Sequence, residues 1–177
     1  LKSLQCGLYL AERMADPQPD WQTGYGALRE ALRERPRAFD RRGQGARFAM
    51  DWYYPVLADA LQPDEARARI LERWRTFVSD TRGCRCVQDE PWVTTAETAE
   101  LVLALLCVEE RDLAADLFES LLDLRDETGA FWMGWQTQEQ IFWPRERPSW
   151  TQAAVILAAD ALNEDSAASQ LLVTSLL

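Results

Sequence analysis

Thr94-Thr95-Ala96-Glu97-Thr98-Ala99-Glu100-Leu101-Val102-Leu103-Ala104-Leu105-Leu106-Cys107-Val108 is the stretch from which the fold is read. It opens on a capping box, in which Thr94 accepts from the Glu97 amide and the Glu97 side chain reaches back. Apolar residues then occupy every side of the helix, the pattern of a buried element. Glu97 is accounted for by the box. Glu100, one turn on in an otherwise apolar helix, is not.

Working outward, the same contrast recurs. Apolar helices at Tyr53 to Leu61, Val93 to Val108 and Thr151 to Leu162 are each followed by a more charged one. A tryptophan opens each apolar helix, in Asp51-Trp52, Pro91-Trp92 and Ser149-Trp150. Ser149-Trp150-Thr151-Gln152 reads as a second capping box. Asp20, Asp51 and Asp64 read as N-caps, and Pro55 falls in a first turn, where it costs little. The periodicity predicts eight helices, near 1–15, 20–35, 50–62, 64–78, 94–108, 110–126, 150–162 and 164–176, with almost no strand alternation. Inner and outer helices alternate as pairs, and unequal spacing of equal units fits repeats that carry loop insertions. The long connections, near 36–49, 79–93 and 127–149, all precede inner helices, which predicts one functional face.

Composition bounds the function. The chain has 177 residues, with 29 acidic and 19 basic side chains and a net charge of -10. That charge disfavours nucleic acid and anionic lipid surfaces. The longest strictly apolar run, Leu101 to Val108, is far shorter than the roughly 20 residues a membrane span needs. No signal-peptide pattern opens the chain, so a cytoplasmic location is expected. There is no histidine, which removes Ser-His-Asp, Cys-His and histidine-metal chemistry. Cys6 and Cys107 read as buried thiols. Cys84 and Cys86 form a lone C-x-C without the second ligand group a zinc site requires, so they read as reduced cysteines and no cofactor is expected. Arg35-Pro36-Arg37 and Arg41-Arg42 read as a solvated loop.

The organisation resembles the (α/α) toroids of the terpenoid superfamily, the squalene cyclases and protein prenyltransferase β subunits. Leu124-Arg125-Asp126-Glu127-Thr128-Gly129-Ala130-Phe131-Trp132 looks like a degenerate QW repeat, with Gly129 retained and Arg125 in place of Gln. Bacterial prenyltransferase-like proteins are resembled more closely still, over Arg47 to Leu162. The segments that carry this are Phe48-Ala49-Met50-Asp51-Trp52-Tyr53-Tyr54-Pro55, Cys86 to Thr94, and Phe142-Trp143-Pro144-Arg145-Glu146-Arg147 with Ser149-Trp150-Thr151. The resemblance implies an all-α fold of helix-pair repeats, an (α/α)6-type toroid or an arc of about four pairs. Residues 1–177 would then be one toroid domain, the C-terminal part of a longer chain, since Leu1 rather than Met opens the sequence. The D-x-D-D acid of the cyclases and the histidine of the prenyltransferase zinc set are absent, and Asp123-Leu124-Arg125-Asp126-Glu127 lacks the adjacent acids of a magnesium motif.

The candidate rim carries Asp51, Asp89, Glu90 and Glu146 as catalytic acids. Trp52, Tyr53, Trp92, Trp132, Trp135, Trp143 and Trp150 are its substrate-binding aromatics. Bland roles stand beside these: Asp51 as a helix cap, Asp89-Glu90 as an acid pair bound by Arg82 or Arg85, and Trp52, Trp92 and Trp150 as wedges between helix pairs. The expected activity is a transferase or binder of an isoprenoid-like, lipid-like small molecule held in a central cavity. The alternative is a carbohydrate-active toroid with paired carboxylates and Trp platforms, and a third reading is a helical-repeat scaffold. Oligomeric state is left open.

Overall fold

A computed structural model describes residues 1–35, 47–79 and 82–174. The cations Arg37, Arg41 and Arg42 lie outside the described residues. Seven α-helices are present among the described residues: α1 Lys2–Arg13, α2 Pro19–Glu34, α3 Ala49–Leu57, α4 Pro63–Phe77, α5 Thr95–Cys107, α6 Arg111–Leu121 and α7 Ser149–Asn163. They match the first seven expected helices to within a few residues. The eighth, near 164–176, is not a helix over its described part. Glu164 takes a left-handed conformation that ends α7, the Asp160 carboxylate accepts from the Ser166 amide and hydroxyl, and short turns follow.

Strands occupy what the periodicity left as loops. Strands β1 (Val78–Ser79) and β2 (Gly83–Cys84) form a hairpin. Strands β3 (Trp92–Thr94), β4 (Gly134–Gln136) and β5 (Ile141–Phe142) form an antiparallel sheet in that order. Val93 stands opposite Trp135, which stands opposite Phe142. An all-α class is therefore corrected. These strands are two or three residues long, too short for alternation to register over helical periodicity.

The helix-pair toroid is corrected as well. A ring needs inner helices that each turn one face to a central cavity. Helix α5 instead packs against α3, α6, α7, β2 and β3, and ten of its residues, Thr95 to Ala99 and Leu101 to Leu105, are buried. The three tryptophans do not repeat either. Trp52 is buried in α3, Trp92 lies in a strand, and Trp150 stands in the first turn of α7 with half its surface exposed. Helix α7, apolar enough to read as fully inner, also leaves Ile156 and Leu157 in solvent. The core is centred on α5, with Trp52, Tyr53, Ile70, Phe77, Leu101, Leu105, Leu121 and Leu124 fully buried around it. Each such side chain contributes about 1.5–3 kcal/mol of transfer free energy.

Helix α3 shows how one residue shapes this core. Pro55 lies in its interior, not its first turn, because the helix starts at Ala49. A proline has no N–H to donate to the carbonyl four residues back, here that of Asp51. Arg69 of α4 supplies the missing donor. Its Nη2 donates to the Asp51 carbonyl (2.8 Å) and its Nε to the Trp52 carbonyl (2.7 Å), while Trp52 Nε1 donates back to the Arg69 carbonyl (2.7 Å). Trp52 stacks on Phe77 at 5.1 Å, which locks α3 to α4.

Candidate functional site

Neither capping box at the helices that frame the site forms as the sequence suggests. At α5 no side chain caps the N-terminus, Thr94 Oγ1 is buried without a partner, and the Thr98 hydroxyl donates to the Thr94 carbonyl instead. Glu97 is thereby released. At α7, Pro148 is the cap residue, and Gln152 reaches across the structure. Its Oε1 accepts from the Phe131 amide and its Nε2 donates to the Phe131 carbonyl, both at 2.8 Å.

Two of the three long connections meet at the start of α5. The Thr95 amide donates to the Met133 carbonyl (3.0 Å) and the Thr95 hydroxyl to the Trp132 carbonyl (2.6 Å). Arg85 bridges Val93, so the 79–93 connection lines the free edge of β3. The described end of the 36–49 connection joins them, since Phe48 bridges Val87 and the Gln88 amide donates to the Arg47 carbonyl.

Below this junction lies a cluster of ionisable groups between α3 and α5. Tyr53, buried in α3, donates to Glu100 Oε2 at 2.5 Å, and Tyr54, 44% exposed, lies 3.4 Å from Glu100 Oε1. Glu97, one turn before Glu100 and on the same side of the helix, is buried, and its Oε2 has no hydrogen-bond partner among the described residues. Cys86, partly buried, lies close enough to Glu97 to feel its charge. Burial raises the Glu100 carboxyl above the ordinary carboxylate range. The Glu97 charge adds to the rise, and the two tyrosine bonds oppose it. Burial also pushes the Cys86 thiol up to about 12 and the Tyr54 phenol up to about 12. Tyr53 is held far above the tyrosine range by burial first and by Glu100 second. Cys84 is raised as well, by burial and then by Glu97.

The sheet supplies an aromatic surface beside the α5 N-terminus. Residues directly opposite in neighbouring strands project from the same face. Trp135 and Phe142 share one face, meeting edge-on at 5.0 Å, and Phe142 stacks on Trp132 at 5.4 Å. The Arg147 guanidinium lies 4.9 Å from the centre of the Trp132 ring, and that of Arg82 lies 4.3 Å from the Trp135 ring. Arg147 in turn pairs with Asp126, whose side chain is 1% exposed and also accepts from the Thr128 amide, the Thr128 hydroxyl and the Ala130 amide. The opposite face carries Trp92, Gln136 and Ile141 in register. Gly134 lets the Trp92 indole lie across it: a Cβ there would stand 2.5 Å from Trp92 Nε1 and 2.6 Å from the Val93 carbonyl. Trp92 Nε1 donates to the Trp143 carbonyl at 2.6 Å, so the indole is fixed beside Trp143, itself 58% exposed.

The expected site residues thus separate. Tyr53 joins the acid cluster, and Asp51 sits one turn before Tyr54 on α3. Trp92 meets Trp143, and Trp132 meets Trp135 through Phe142. Trp52 is sealed in the core, and Trp150 sits at the exposed start of α7. Asp89 is engaged by Arg47 (3.0 Å), not by Arg82 or Arg85, and that bond holds its carboxyl below the usual range. Glu90 and Glu146 lie on the surface. The sequence did contain a sign of the buried acids, in two carboxylates three residues apart in the most apolar helix. The capping motif hid the first of them. Among the described residues no cluster of three or more acids and cysteines is arranged to hold a metal, and no helix is long and apolar enough to cross a membrane.

Glycoside cleavage uses a pair of carboxyl groups, and this site offers buried acids beside an aromatic surface. The comparisons point the same way. The chain is 48% identical over 161 residues to the MMP endo-(1,4)-3-O-methyl-alpha-D-mannosidase of Mycolicibacterium hassiacum. The match covers 91% of this chain and 44% of that protein, so the chain spans less than half the length of the curated relative it matches. No protein-family model matches the chain. This similarity corrects the resemblance to prenyltransferases and terpenoid cyclases, and with it the expectation of transferase chemistry, since a relative this similar over most of the chain is named a glycosidase. The tryptophans behind that resemblance fall in a buried helix (Trp52), a strand (Trp92) and an exposed helix start (Trp150), and such a pattern does not fix chemistry.

Proposed function

We propose that this chain belongs to a glycoside hydrolase that cuts within an α-linked, O-methylated mannose chain, and that Glu100 is its general acid. The observation that carries the proposal is the Glu100 carboxyl, half-buried, raised by its surroundings and gripped by two tyrosine hydroxyls, one of them exposed. Cleaving a glycosidic bond needs a carboxyl that still holds a proton at working pH and delivers it to the departing oxygen. A second, ionised carboxylate removes a proton from water as it attacks the anomeric carbon, or attacks that carbon itself. Asp51 is our candidate for that second group, being in the first turn of α3 one turn from Tyr54. The Trp92–Trp143 face is our candidate for stacking against sugar rings, whose O-methyl groups add apolar surface to such contacts. Asp89, Glu90 and Glu146 have no catalytic part here, and Trp132 and Trp135 act behind the sheet as support.

The test is hydrolysis of an O-methylated mannose polysaccharide by the full-length protein, with products sized by mass spectrometry. Internal cleavage is expected. Glu100→Gln should lower kcat by about 100-fold or more, and Trp143→Ala should raise KM. An unimpaired Glu100→Gln enzyme would remove Glu100 from the acid role, and failure of the wild type to cut any methylated or unmethylated mannose chain would overturn the proposal.

A further inference from the structure

The outer face of the sheet holds more than its two tryptophans. Trp92 of β3, Gln136 of β4 and Ile141 of β5 stand directly opposite one another, so they form one row about two strand spacings, ~10 Å, across. Residues two apart in a strand share a face, and the Trp143 amide donates to the Gly134 carbonyl at 3.0 Å, so Gly134 and Trp143 lie in the next row. The space left by Gly134 is filled by the Trp92 indole. Ile141 is 49% exposed, a large aliphatic side chain in solvent on the same strand face as Trp143. Gln136 is already oriented. Its Oε1 accepts from the Glu139 amide at 2.5 Å, and a backbone N–H can meet only the oxygen end of the side-chain amide, so the nitrogen end is fixed as well. Gln136 Nε2 has no partner among the described residues. The row therefore offers a donor between two apolar surfaces. Its neighbours add no open acceptor: indoles only donate, and Thr94, at the end of the second row, is 3% exposed.

We propose that Gln136 and Ile141 read O-methylation: Gln136 Nε2 donates to the ether oxygen of a methylated sugar, and Ile141 packs on its methyl group while the ring stacks on the indoles. The chemistry of the two candidate groups separates them. A hydroxyl both donates and accepts, whereas a methyl ether only accepts. A donor beside apolar surface satisfies the ether completely. A hydroxyl in the same place keeps a proton with no acceptor, against a side chain that excludes water, and that costs binding. The inference rests on the mannosidase reading and deepens it, because it names the side chains that select methylated over unmethylated sugar. Strand β3 runs directly into α5, the helix that carries Glu100, so the selecting face and the acid cluster share one scaffold.

The test reads binding apart from catalysis. Stopped-flow tryptophan fluorescence of the full-length protein follows binding in milliseconds, ahead of a typical turnover. The probes are two α-(1,4)-linked mannotetraoses, one 3-O-methylated and one unmethylated. The wild type should bind the methylated chain more tightly. Ile141→Ala should cut that preference by about fourfold, the worth of roughly one methyl group withdrawn from water. Gln136→Glu keeps an acceptor for the Glu139 amide but replaces the donor with a second acceptor. It should weaken the methylated chain by about tenfold and leave the unmethylated one within about twofold, since a hydroxyl can donate to it. Trp143→Ala, by contrast, should weaken both chains alike. Ile141 is exposed, so its variant keeps the test open if Gln136→Glu does not fold. A wild type that binds both chains equally, or neither, overturns the inference. So does a preference that neither Ile141→Ala nor Gln136→Glu changes, even in a protein that cuts the methylated chain. A preference that both variants reduce, in a protein that cuts neither chain, would sustain it while the hydrolase assignment fails.

Discussion

Tyr53→Phe tests the acid cluster through stability. Tyr53 is fully buried and its hydroxyl makes a 2.5 Å bond to Glu100 Oε2. Phenylalanine keeps the ring, and so the edge-on contacts with Trp52 and Tyr54. Only the hydroxyl is lost. A hydrogen bond to a charged group contributes roughly 1.5–3 kcal/mol, and the remaining Tyr54 bond is long, so about 2 kcal/mol is expected. For a chain of this size that lowers Tm by about 4–8 °C. The loss should also depend on pH, with a definite sign. Glu100 is raised in the folded state, so its protonated form is the one that folding favours. Stability from that source is fully present below the unfolded glutamate value, about 4.3, and is lost as pH rises through the folded value. The Tyr53 bond opposes the rise because it favours the ionised carboxylate. Removing it should therefore cost more above the folded value than below about pH 4. Urea unfolding of wild type and Tyr53→Phe across that range measures both features. A penalty below about 0.5 kcal/mol, or one larger in acid than at neutral pH, would refute the assigned bond and its direction.

Other outcomes follow from the sheet and its supports. Gly134→Ala should destabilise by about 1–3 kcal/mol, since the new Cβ meets the Trp92 indole and the Val93 carbonyl, and tryptophan fluorescence should shift with it. Gln152→Ala removes both bonds to the Phe131 backbone and should lower stability by about 1–2 kcal/mol in urea unfolding, whereas Gln152→Glu keeps only the acceptor and should fall between. Asp126 is held down to about 2 by its bonds from Thr128, Arg147 and Ala130. Its stabilisation should be present above the unfolded aspartate value and fade as pH falls through about 2, so the deficit of Asp126→Asn measured by acid titration should close toward that pH.

What could be read without coordinates was local. The 3.6-residue period located seven helices, the aromatic content of 127–149 marked an ordered segment, and the absence of histidine restricted acid–base work to carboxyl, thiol and phenol groups. Glu100 stood out as a charge in an apolar helix for the same reason, because periodicity reports which side chains are out of place. Architecture and pairing were not local. Whether apolar helices ring a cavity or surround one central helix depends on which faces meet. Three short strands drawn from segments some forty residues apart leave almost no periodic trace. Thr94 and Glu97 form a good capping motif in isolation, yet in the folded chain neither caps the helix, and the Thr94 hydroxyl and one Glu97 oxygen are buried without a partner among the described residues. Periodicity set the helices, and composition set the kinds of group available for chemistry. It took the packing of α3 against α5 to bring Tyr53 and Tyr54 onto Glu100 beside the buried Glu97, because distance and burial are not carried by the order of residues.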